Sequence, residues 1–245
     1  MKKIITTYFF IFFLSLLFVT LSVVEGFSQD PASLLLKSAK EKETQKNFSG
    51  EIDDCTLAIS LRNDFDSAYA LRGYAFLKTG EIKKAQEDLN QAIKLNSKNS
   101  DAYSYRGIVR ASKEDYIGAV KDFSRAIDLN PANAKTFYNR AIASAYLSNY
   151  ADAIDDLGKA IQLKPDYIEA YYSRAYWNDI RDDYDKAISD YKKVIELNPK
   201  YVDAYIGMAT VKYLKGEKQP ACDDLKKAIE IGSIKAEELS NLFCK

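Results

Sequence analysis

The thirty-four residues from Ser100 to Asn133 are followed by thirty-four more, Ala134 to Tyr167, in which an aromatic, an arginine, a small residue and a proline return at the same places. A fixed period of this length implies an array of supersecondary units, each too small to bury its own apolar face and each stabilised by stacking on its neighbours. Within Ser100–Asn133, two apolar-periodic segments flank a polar turn at Lys113, Glu114 and Asp115 and close at Leu129-Asn130-Pro131. That is the pattern of a helical hairpin.

Phased on Ser100, six units fit without insertion, starting at residues 32, 66, 100, 134, 168 and 202. The fourth place holds Leu35, Tyr69, Tyr103, Phe137, Tyr171 and Tyr205, and the eighth holds Ala39, Gly73, Gly107, Ala141, Ala175 and Ala209. Residues four apart share a helix face, so a large ring beside a small residue lets a neighbouring helix approach closely. In the second helix, alanine recurs at the twentieth place from Ala85 to Ala221, where the first unit has Glu51, and a large apolar residue such as Leu89, Phe123 or Leu157 stands four places on. This is a stripe for burial. Pro131, Pro165 and Pro199 close units three to five; proline cannot extend a helix and restricts the residue before it.

These units resemble tetratricopeptide repeats of the subtype that reads Tyr-x-x-Arg-Gly in its first helix. The motif stands here as Tyr69-Ala70-Leu71-Arg72-Gly73 and Tyr103-Ser104-Tyr105-Arg106-Gly107, with Ala141 and Ala175 in the glycine place of the next two units. The resemblance implies an all-α, right-handed superhelical solenoid of antiparallel helix pairs, with a concave groove lined by the first helices.

The domain reading is an export signal over residues 1–28, six repeats over 29–235 and a capping helix over 236–245. Met1-Lys2-Lys3 precedes an uncharged apolar run from Ile4 to Val24, and Gly26 and Ser28 suit cleavage before Gln29. Cleavage before Phe27 and retention of residues 4–24 as a membrane anchor are the alternatives. The first unit, with the KSAKEKETQK run in its first helix and Glu51 in place of the usual alanine, reads as a polar outer cap. Phe243 fills a place that must stay small for another helix to pack there.

Composition narrows function. Basic and acidic residues both number 35 and histidine is absent, so neither a charge-driven partner such as nucleic acid nor the commonest general base is on offer. Three scattered cysteines give no zinc or redox motif. We therefore expect no enzyme, no cofactor and no metal. Asp54, Asp88, Asp122, Asp156, Asp190 and Asp224 share one place, and Arg72, Arg106, Arg140 and Arg174 share another. A pair repeated at each joint is packing, expected to link each aspartate to an arginine of an adjacent first helix.

Partner binding is expected where the copies differ. The groove positions hold Tyr74, Ile108, Tyr138, Ile142, Tyr172, Tyr176 and Tyr213, and Trp177 stands where other units have Ala75, Val109, Ala143 and Val211. Tyrosine and tryptophan offer large contact area at modest entropic cost and often dominate binding energy. The same rings could instead finish the packing. The groove suits an extended peptide or partner helix in a periplasmic or cell-surface scaffold serving envelope assembly or transport. Cys222 and Cys244 could form a disulfide fastening the cap; buried free thiols are the alternative.

Overall fold

A computed structural model describes residues 30–245. The export signal, its cleavage before Gln29 and the alternative anchor all concern residues outside the described ones. The described residues divide into two compact units, the first ending at Leu95 and the second running from Asn96 to Lys245. Their boundary falls after the second repeat, where Ser97 takes the place of the closing proline.

The described part of the first unit is two helical hairpins: α1 (Pro31–Thr44) with α2 (Phe48–Leu61), and α3 (Asp66–Lys78) with α4 (Ile82–Leu95). The second unit holds four more, α5 (Ser100–Ser112) with α6 (Tyr116–Leu129), α7 (Ala134–Tyr146) with α8 (Tyr150–Leu163), α9 (Ile168–Ile180) with α10 (Tyr184–Leu197), and α11 (Val202–Leu214) with α12 (Lys218–Glu230). It ends in α13 (Ile234–Phe243), which begins two residues before the predicted cap. No strand occurs among the described residues.

Local chemistry sets each boundary. Asp30, Asn47, Asn99, Asp115, Asn133 and Ser233 cap helix starts by accepting from backbone N–H groups of the first turn. The fifteenth residue of every repeat has positive φ, between 59° and 85°, at the turn between paired helices: Lys46, Gly80, Glu114, Ser148, Asp182 and Gly216. This left-handed residue ends the first helix of each pair. Only two of the six are glycine.

The small eighth place is buried as the pattern requires; Ala141, Ala175 and Ala209 are fully enclosed. A Cβ on Gly107 would stand 2.6 Å from Phe123 Cε1, so glycine is needed opposite that ring. Facing it, Leu157, Tyr191 and Leu225 fill the cores of successive hairpins in the second unit. One expectation is corrected. Glu51 is no outer polar residue: it is fully buried, and neither carboxylate oxygen has a partner.

Candidate functional site

The aspartate column is a set of buried ion pairs. Arg72, Arg106, Arg140 and Arg174 each donate through Nε and Nη2 to Asp88, Asp122, Asp156 and Asp190, at 2.7 to 2.9 Å. Each arginine belongs to the first helix of the aspartate's own hairpin. Its remaining nitrogen can reach back one repeat: Nη1 of Arg72 donates to Thr56 at 3.2 Å and Nη1 of Arg140 to Ser124 at 3.0 Å. Repeats one and six have Ser38 and Met208 in the arginine place, and there Lys42 and Lys212 reach Asp54 and Asp224, both at 2.6 Å. Bidentate pairing inside four of the hairpins holds the two helices of each in register.

Tyr138 and Tyr172 form a second repeating joint. Each packs on the tyrosine just before the next first helix, Tyr138 on Tyr167 at 5.1 Å and Tyr172 on Tyr201 at 5.2 Å. Tyr167 and Tyr201 occupy a cap position without capping by side chain, whereas the matching Asn99 and Asn133 do cap. The partner place is small where asparagine caps, Ala70 and Ser104, and tyrosine where tyrosine replaces it. Burial pushes the hydroxyls of Tyr167 and Tyr172 up to about 12, so both stay neutral donors.

The predicted contact residues therefore separate. Tyr74 is 6 % exposed, with Phe48 edge-on to it, so it serves the core of the first unit rather than a ligand. In the second unit Ile108 packs on the Phe123 cluster, and Ile142 is half-buried. Trp177 stacks on Tyr150 at 5.3 Å and meets Tyr176 edge-on at 4.8 Å. Its indole Nε1 is buried without a partner. Tyr213 stacks on Phe243 at 3.9 Å. Tyr176 and Tyr213 keep exposed faces, 44 % and 38 %.

Sequence reasoning missed their neighbours. Tyr146, Ile180 and Leu214, the last residues of α7, α9 and α11, are 65 %, 43 % and 57 % exposed. The signal was available: this thirteenth place is Lys78 and Ser112 in repeats two and three and turns apolar in the next three. Tyr176 and Ile180 lie four apart and so on one face of α9. Tyr146 is itself braced by Tyr116, stacked at 4.5 Å. Single exposed apolar residues need no explanation, but a repeated set at adjoining helix ends does.

Other chemistry is sparse among the described residues. No group of three acidic, cysteine or histidine side chains is placed to hold a metal. Burial pushes the Cys55 thiol up to about 12, which keeps it from acting as a nucleophile. No described helix is long and apolar enough to cross a membrane. Cys222 in α12 and Cys244 after α13 are joined by a disulfide, Cα to Cα 5.8 Å.

Residues 71–134 match a tetratricopeptide repeat model and residues 180–216 a TPR repeat model. No curated protein sequence matches the chain. Among solved structures, YrrB, described as a TPR protein with an unusual peptide-binding site, is 24 % identical with a TM-score of 0.69, covering 76 % of this chain and 97 % of its own. MamA is 25 % identical with a TM-score of 0.63, covering 67 % and 96 %. PilF of Pseudomonas aeruginosa is 16 % identical with a TM-score of 0.74, covering 86 % and 97 %.

Proposed function

We propose that this tetratricopeptide-repeat chain is a non-enzymatic, exported scaffold that binds a protein segment on the apolar ends of its first helices in the second unit. Tetratricopeptide repeats are protein-interaction modules, and a solved relative is described as having a peptide-binding site. The observation that carries the reading is the set Tyr146, Tyr176, Ile180 and Leu214, exposed side chains at matching ends of α7, α9 and α11. Tyr176 is braced by Trp177, itself stacked on Tyr150, so it is presented with little rotamer entropy left to lose.

The Cys222–Cys244 disulfide supports an oxidising compartment, and the apolar leader of residues 1–28 supports export. The partner is then an envelope or surface protein, engaged during assembly or transport. Affinity capture with wild type beside a Tyr176→Ala/Ile180→Ser variant tests the face; both positions are exposed, so the variant keeps its fold. Loss of a captured protein supports the reading, and identical captures remove it. An amino terminus at Gln29 marks an exported, cleaved protein, whereas retained residues 4–24 mark a membrane-anchored adaptor.

A further inference from the structure

On the second-helix side of the second unit, an open cleft of about 590 Å³ lies between α8 and α10 with α9 beneath it. Ile154, Gly158, Lys159, Arg174, Asn178 and Lys186 are among its lining residues. None belongs to the tyrosine face described above. The equivalent cleft one repeat earlier is smaller, about 380 Å³, and its charges are Asp152, Asp155 and Asp156 against Arg140 alone.

Two substitutions within the repeat pattern explain the difference. Arg140 gives its Nη1 to Ser124, but the same place before Arg174 is Gly158, which has no side chain to accept from it. Arg174 binds Asp190 through Nε and Nη2, leaving Nη1 beside Gly158. The second substitution is Asn178, in the place of Ser144. Asn178 is 2 % exposed, lines the cleft, and its Oδ1 is buried without a donor. Arg174 and Asn178 are four apart on α9, side by side on one face. Arg174 Nη1 and the buried Asn178 Oδ1 are thus left without protein partners on one face of α9, Lys159 adds charge, and Lys186 is shared with Asp183 at 3.3 Å.

The geometry points to a binding site for an acidic peptide residue, its carboxylate on Arg174 Nη1 and Lys159 and its backbone N–H donating to Asn178 Oδ1. Asp155, Asp183 and Asp190 balance the three cations, so the cleft suits a monoanion better than a dianionic phosphate. A buried unpaired acceptor is costly, and a ligand N–H is what removes that cost. This site stands apart from the tyrosine face, so either can fail alone.

The test uses the full chain, 15N-labelled, titrated with N-acetyl-aspartate N′-methylamide, its neutral asparagine isostere and inorganic phosphate. The site predicts saturable shifts of the Arg174 Nε–H and the Asn178 side-chain amide, with the isostere and phosphate each binding at least about tenfold more weakly. Gly158→Ser is the deciding variant. A Cβ there meets only Arg174 Nη1, at 3.6 Å, so serine fits and can accept from that nitrogen as Ser124 does. Serine also favours helix over glycine. The variant should melt no lower than wild type and lose the shifts, and Lys159→Gln should weaken them, while Tyr176→Ala keeps them. Absence of saturable shifts, equal response to the isostere, tighter binding of phosphate, or unchanged binding in Gly158→Ser would overturn the proposal.

Discussion

Lys212 reaches Asp224 at 2.6 Å and supplies, from the eleventh place of its repeat, the cation that four other repeats supply from the seventh. The side chains of both are 14 % exposed. Burial of the Asp224 carboxylate pushes its pKa up, and Lys212 works against that shift. Removing one partner of a buried pair strands a charge and costs about 3 kcal/mol. Lys212→Met should therefore lower the melting temperature clearly, measured by circular dichroism. Met208→Arg added to it places a guanidinium where Arg174 stands in the repeat before, and should recover most of the loss.

That substitution pattern marks the limit of what the sequence made legible. The column of six aspartates, the arginines and the small eighth place were readable because each recurs at one fixed place. Lys42 and Lys212 were not, because they serve the column from a different place, in the two repeats where Ser38 and Met208 bring no cation to it. The Tyr138–Tyr167 and Tyr172–Tyr201 joints escaped for the same reason. Each ring taken alone reads as groove lining, and only comparing two columns at once reveals their pairing. Tyr74 and Glu51 were misread because position in a pattern gives the direction of a side chain and not what covers it; both are buried.

The tyrosine joint is testable by exchange. Tyr172→Ser alone should destabilise by about 2 kcal/mol, less than truncating a fully buried aromatic because Tyr172 is half-buried. Adding Tyr201→Asn recreates the arrangement of Ser104 with Asn133, whose side chain caps the next helix. Denaturant unfolding should show the double variant less destabilised than the sum of the two singles.

Glu51 gives the first unit a pH dependence. Burial, with Glu43 as a smaller contributor, pushes its carboxyl from an ordinary 4.5 up to about 8. Between those values the folded protein holds a proton that the unfolded chain has released, so stability is full below 4.5 and falls as pH rises through 8. Glu51→Ala, the residue found at this place in the other five repeats, should remove the slope. Melts at pH 5 and 8 should then differ less than in wild type, with a gain of about 2 kcal/mol at the higher pH.

Reducing the Cys222–Cys244 disulfide, which spans 22 residues, should cost about 3 kcal/mol by releasing the closed loop. In a repeat array the loss is felt locally. Hydrogen exchange should therefore rise first in α13 and the end of α12 after reduction, with α5 to α8 unchanged; uniform acceleration would contradict local fastening.

If the first-helix ends of the second unit hold a protein partner, a crosslinker placed there captures it. The most direct measurement places a photo-crosslinking phenylalanine analogue at Tyr176 in the native host, beside a control at Leu163, which is 43 % exposed at the end of second helix α8. Position 176 should give a discrete adduct with one protein, and position 163 none of that adduct. No adduct at 176, or the same adducts from both positions, would contradict it.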